Sequence, residues 1–218
     1  MDPNVHAGHR ERLRKRYEKE GLDAFEDHNV LELLLFYAFA RRDTNELAHN
    51  LLAHCGSLSA VFRAPREKLM DVPGIGPRAA DLIILVSGVM RKSMMEELSA
   101  LPFKDENIPA QYLVWFFRTM PKGTAAILLL DKEDRLLETK ILSQGKRKKP
   151  DSLFFATIEA VNKGKAASVY LAHNHADGRM EPSVNDLALT ERLKSQLESA
   201  GTPLRGHFII HENKWIRF

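Results

Sequence analysis

The hydrophobic periodicity changes once along this chain, and that change decides which architectures are open to it. Between residues 28 and 92 apolar side chains recur at helical spacing, with Leu31, Leu34, Leu35 and Ala38 in one stripe and Leu47, Leu51 and Leu52 in the next. Asp43-Thr44-Asn45 lies between them as N-cap chemistry, so this stretch predicts a small all-helical domain. After Arg91-Lys92 the segment SMMEELSALPFKDENIPAQ carries two prolines, mixed charge and no sustained period, and reads as a linker holding at most a frayed helix. The predicted boundary falls near residue 100, giving domains 1–100 and 101–218.

Past that boundary short apolar runs replace the stripes. Residues 125–130 are uninterruptedly apolar and end at Asp131-Lys132-Glu133-Asp134, and residues 136–142 follow, a pattern that predicts a hairpin. Residues 153–163 suit a helix, 167–172 a buried strand, 183–200 a helix stopped by Gly201, and 207–211 a further strand. Strands interleaved with helices predict an α/β or α+β domain. No internal repeat is present, which argues against a solenoid.

At 218 residues, 44% apolar and 28% charged, the chain can bury an ordinary core and does not fit collagen, wholesale disorder or a disulfide scaffold. The single cysteine, Cys55, excludes an intrachain disulfide and a cysteine-ligated zinc ribbon. The polar start MDPNVHAGHRER lacks the apolar core of a secretory signal. The apolar stretch 79–90, interrupted by Asp81, is shorter than the roughly 20 residues needed to span a bilayer. A cytoplasmic location with no membrane segment is expected. The net charge of +3 decides little, but two basic clusters could meet phosphate: His9, Arg10, Arg12, Arg14, Lys15, Arg16 and Lys19, and the run Lys146, Arg147, Lys148 and Lys149. Each reads equally as a solvated surface segment.

Two segments carry chemistry. In the first, REKLMDVPGIGPRAA, Gly74-Ile75-Gly76 separates two helices; the glycines permit close backbone approach and Ile75 can plug the core beneath the turn. The following helix N-terminus offers backbone N–H groups to an anion, and Arg78 adds a charged donor. A tight helix–helix turn without any ligand is the competing reading. This segment resembles a helix-hairpin-helix motif, and the resemblance implies sequence-independent contact of Gly74, Ile75, Gly76 and Arg78 with a DNA backbone.

The second segment is Val169-Tyr-Leu-Ala-His173-Asn-His175, followed by Ser183-Val-Asn-Asp186. Residues two apart on an extended strand share a face, so both imidazoles leave the strand end on one side. Asp186, in the first turn of the next helix, can complete a His, His, Asp set. Three N/O ligands with an open position describe a catalytic rather than a structural zinc site. Taken separately, Ser183-x-x-Asp186 also reads as a helix cap and the histidine pair as ordinary polar surface.

His-x-His, seven residues, Ser, two residues and Asp is a spacing that resembles the JAMM, or MPN+, motif of zinc-dependent isopeptidases. With the glycine hairpin and the phrases AHNH and EPSVNDLALTERL, the chain resembles the RadC family over most of its length. That resemblance implies an N-terminal helix-hairpin-helix region and a C-terminal JAMM domain of cytidine-deaminase-like α/β architecture. It makes His173, His175 and Asp186 the Zn2+ ligands and Ser183 a hydrogen-bond donor to the tetrahedral oxyanion. The acid that such hydrolases use for proton transfer stands eight residues before the aspartate ending the first strand; here that position is Gly123. Glu138 and Glu159 are the candidate substitutes. The family's Pro-Arg pair falls on Phe154-Phe155, its HNHPSG becomes HNHADG, and its Asp-His becomes Gly206-His207.

The expectation is therefore a metallohydrolase of peptidase or isopeptidase class with low activity, acting on a peptide or protein and associated with DNA. Its competitor is a non-catalytic DNA-associated binding module with a vestigial or structural metal site. A nucleic-acid deaminase fits less well, because the Cys-x-x-Cys of that chemistry is absent.

Overall fold

A computed structural model describes residues 8–145 and 150–218; the basic run Lys146, Arg147, Lys148 and Lys149 lies outside the described residues. The chain divides into two compact units, Met1–Met90 and Arg91–Phe218. The division precedes the proline-bearing segment that suggested a boundary near residue 100, because α6 (Pro77–Ser99) is one unbroken helix. Its last turns belong to the second unit, where Leu98 is buried and Met95 packs against the same core. Those turns were expected to be a frayed linker.

The first unit is helical, as the apolar stripes predict: α1 (His9–Glu20), a 3-10 turn (Leu22–Ala24), α2 (Asp27–Leu35), α3 (Asn45–Cys55), α4 (Leu58–Val61), α5 (Arg66–Met70) and the start of α6. Leu31, Leu35, Leu47, Leu51, Ile75 and Ile83 meet in its core. Glu32 is fully buried there, bonded to His9 Nε2 at 2.8 Å and Asn45 Nδ2 at 3.2 Å, so its carboxylate ties α1 and α3 to α2.

The second unit adds α7 (Asn107–Phe117), β1 (Ala125–Leu130), β2 (Leu136–Ser143), α8 (Pro150–Gly164), β3 (Ser168–His173), α9 (Val184–Ser199), β4 (Leu204–His211) and β5 (Lys214–Arg217). Helix α7 begins within the expected linker and runs beyond it. Pro109 falls in its first turn, where a missing N–H breaks no helical hydrogen bond, and Asp105 Oδ1 accepts from Asn107 N at 2.8 Å just ahead of it.

The five strands form one sheet in the order β2-β1-β3-β4-β5. The predicted β1–β2 hairpin is present; β1–β3 and β4–β5 are also antiparallel, and β3–β4 is parallel across the crossover helix α9. Alternation splits the sheet into two faces. Leu128, Tyr170, Ala172 and Phe208 pack with α7, whereas Ile127, Leu129, Val169 and Leu171 pack with α8 and α9. His173 continues the second set, which sends its side chain toward α9.

Candidate metal centre

The histidine pair leaves the sheet where β3 ends. His173 is the last residue of β3 and pairs with Ala125 at the start of β1. His175 lies two residues beyond, and Asp186 is in the first turn of α9. His175 Nε2 is 2.8 Å from His173 Nε2 and 3.3 Å from Asp186 Oδ2, and His173 Nε2 is 3.6 Å from Asp186 Oδ1. One ligand atom from each residue lies within 4.8 Å of the others. All three side chains are about nine-tenths covered yet line a cavity of about 400 Å³.

The hydrogen-bond network assigns both tautomers. Thr190 Oγ1 lies 2.7 Å from the Asp186 carbonyl, which can only accept, so the single hydroxyl proton goes there. His207 Nδ1, 2.7 Å from the same hydroxyl oxygen, must then be the donor. That leaves His207 Nε2 to accept from His173 Nδ1 at 2.8 Å. On the other ligand, His175 Nδ1 donates to the Arg179 carbonyl at 2.8 Å. Both Nε2 lone pairs therefore face the same point as the Asp186 carboxylate. In the neutral form of both rings, two imidazole nitrogens and a carboxylate converge as a donor set suited to a divalent cation.

Sequence reasoning missed His207 as a functional residue. It is fully buried beneath the site, and burial, followed by the neighbouring His173, holds its imidazole well below the usual range, so it serves as a neutral hydrogen-bonding group. The Phe218 ring stacks on it at 4.6 Å, and the two backbones exchange hydrogen bonds. A polar residue inside the apolar strand LRGHFIIH is the signal that could have found it. The preceding Gly206 is where Arg217 lies: a Cβ there would come within 2.4 Å of Arg217 Nε.

Ser183 is the N-cap of α9 in a complete capping box: its Oγ accepts from Asp186 N at 3.2 Å, and its backbone N–H reaches Asp186 Oδ2 at 2.9 Å. Its hydroxyl proton is directed at Asp186 Oδ2 as well. The cap therefore also orients the Asp186 carboxylate at the cavity. Asn174 fastens the opposite wall, where its Oδ1 accepts from Thr124 N at 2.8 Å and its Nδ2 donates to Pro121 O at 3.2 Å.

Gly123 lines the cavity, two residues before the strand position that pairs with His173, and its φ is +76°. No carboxylate stands there. The two proposed substitutes are elsewhere. Glu138 pairs with Leu129, four residues along β1 from the pairing partner of His173, and is half exposed beside Lys140 at 3.8 Å. Glu159 projects from α8 into solvent, bonded to Lys163 at 2.6 Å; that hydrogen bond holds its carboxyl below the usual range. Neither lines the cavity. Both carboxylates lie beside lysines on the exposed surface of β2 and α8, away from the cavity.

In the first unit, α5 and α6 flank the Gly74-Ile75-Gly76 turn. Ile75 is 4% exposed and packs in the core, so its side chain cannot meet a phosphate. Gly74 has φ +90°, and a Cβ on it would lie 2.5 Å from Arg42 Nη2. Gly76 faces open space and Arg78 is exposed.

A family model described as RadC-like JAB domain matches residues 104–218. The chain belongs to the RadC family. The UPF0758 protein FN0909 of Fusobacterium nucleatum subsp. nucleatum is 27% identical to it over 226 aligned residues, spanning all of this chain and 97% of that protein. The RadC-like JAB match holds the whole five-stranded sheet and every residue of the histidine–aspartate cluster. Residues 1–103, with the glycine turn, lie outside that match. Among the described residues no helix is long and apolar enough to cross a membrane.

Proposed function

We propose that this protein is a zinc-dependent amide hydrolase of peptidase or isopeptidase class, working in the cytoplasm with low intrinsic turnover. The convergence of two histidine ring nitrogens and a carboxylate within 4.8 Å, at the wall of an open cavity, carries the reading. Three N/O donors fit Zn2+ with a position left for substrate, and the absence of sulfur ligands matches catalytic rather than structural zinc. When bound, zinc supplies Lewis-acid polarisation of the carbonyl and activation of water.

The chain's own residues supply the rest. His173 is oriented by the bond to His207, His175 by the Arg179 carbonyl, and Asp186 by both the amide and the hydroxyl of Ser183. On rotation of its hydroxyl, Ser183 is the donor that can meet an oxyanion developing at the carbonyl. Low turnover follows from Gly123: a correctly placed acid–base contributes roughly 10² to 10⁴ in rate, and that position has no carboxylate.

The same glycine favours a second reading, a DNA-associated binding module whose metal site is vestigial or structural. Gly76 and Arg78 at the start of α6 would meet the phosphate backbone. Zinc stoichiometry and hydrolysis of a panel of amide and isopeptide substrates, measured on one preparation, separate the two. Stoichiometric zinc with zinc-dependent cleavage supports the enzyme, and stoichiometric zinc without cleavage supports the module.

A further inference from the structure

We propose that Glu181 is the catalytic proton carrier of this site, working from an exposed position on the cavity wall and less effectively than an acid at Gly123 would. This rests on the hydrolase reading above. The carboxylates lining the cavity are Asp177, Glu181 and Asp186. Asp186 is a ligand candidate held by Ser183. Asp177 accepts from Arg179 N at 3.1 Å on one oxygen and from Arg179 Nε at 2.7 Å on the other, so both of its oxygens are already engaged. Glu181 makes no hydrogen bond or ion pair with any described residue.

Glu181 lies at a bend just before Pro182 and Ser183, the N-cap of α9, and from there it lines the same cavity as His173, His175, Ser183 and Asp186.

In the hydrolysis, the oxygen of water bonds to the amide carbonyl carbon while one of its protons passes to the Glu181 carboxylate. The same proton then moves to the amide nitrogen as the C–N bond breaks. A carboxylic acid and an amine leave, and Glu181 returns to its carboxylate form.

The test compares the full chain with Glu181→Gln and Glu181→Asp. Zinc stoichiometry is expected to be unchanged in all three. Turnover should fall at least 10²-fold in Glu181→Gln and partly recover in Glu181→Asp. A readout independent of turnover is acetohydroxamic acid, which presents two oxygens to a metal and gives its acidic proton to a neighbouring carboxylate. Its affinity for the zinc-loaded protein should drop at least tenfold in Glu181→Gln. Undiminished hydroxamate affinity with zinc in place overturns the assignment of Glu181 alone. Failure of the unmodified protein to hold zinc overturns the hydrolase reading and this assignment with it.

Discussion

His207 Nε2 lies 2.8 Å from His173 Nδ1, joining two strands 34 positions apart in sequence through one buried hydrogen bond. The bond sets the tautomer of His173, and a partner of this kind raises the basicity of the nitrogen that faces the metal. Replacing His207 by Ala leaves the His173 N–H buried without an acceptor. Zinc affinity, measured by competition with a chromogenic chelator, should fall about 10- to 100-fold. An unchanged affinity would mean that the strand alone orients His173.

Zinc should stabilise the folded chain by mass action. At free zinc a hundredfold above its dissociation constant the gain is about 2.7 kcal/mol, visible as a higher melting temperature in calorimetry and reversed by a chelator. In Asp186→Ala the zinc-dependent shift should be lost. A shift that survives that change would place the zinc somewhere else.

Ser183→Ala removes the N-cap of α9 and one of the two groups that orient Asp186. The cap alone is worth about 1 kcal/mol of stability, measurable by denaturant titration. If Ser183 also serves the oxyanion, turnover should fall by a larger factor than zinc affinity does. Equal losses would leave it a cap and carboxylate holder only.

Gly123→Glu puts a carboxylate at the cavity wall but forces a side chain onto a backbone at φ +76°. The left-handed conformation costs about 1–2 kcal/mol, so stability should drop by that order. Turnover should nevertheless rise by more than zinc affinity changes, because the added acid is a proton carrier and not a required ligand. A rise of equal size in both would recast it as a ligand.

The glycine turn separates folding from binding. Gly74→Val should destabilise the helical unit, since the new Cβ would meet both Arg42 and Leu47 inside 3 Å. Gly76→Val meets nothing within 4 Å and should leave the melting temperature intact. If α6 presents its N-terminus to phosphate, Gly76→Val weakens duplex DNA binding at low salt in fluorescence anisotropy. Unaltered binding, or none in the unmodified protein, removes DNA contact from this turn.

Local signals carried much of this fold. Residues 125–130 are apolar at every position because β1 is an inner strand buried on both faces, and such a run reads as a strand. His173 and His175 were legible because strand alternation is a local rule. Helix α7 was not, because Pro109 marks a helix interior as broken but sits harmlessly in a first turn, a distinction that needs the helix start to be known. The placement of Glu138 and Glu159 away from the cavity was not legible, because sequence says only that an acid exists. Their pairing with Lys140 and Lys163 depends on strand register and helix phase. The support from His207 was invisible for a related reason, since only the parallel β3–β4 pairing brings it under His173.

Phe218 closes the floor of the metal centre, with its backbone bonded to His207 in both directions and its ring against the imidazole. Solvent is thereby kept from the far side of His207. The dielectric around His173 is thus governed partly by a residue that reaches it only through His207. Deleting Phe218 would act as an electrostatic change as much as a packing one, admitting water beside His207 and weakening the field that holds His173 in one tautomer.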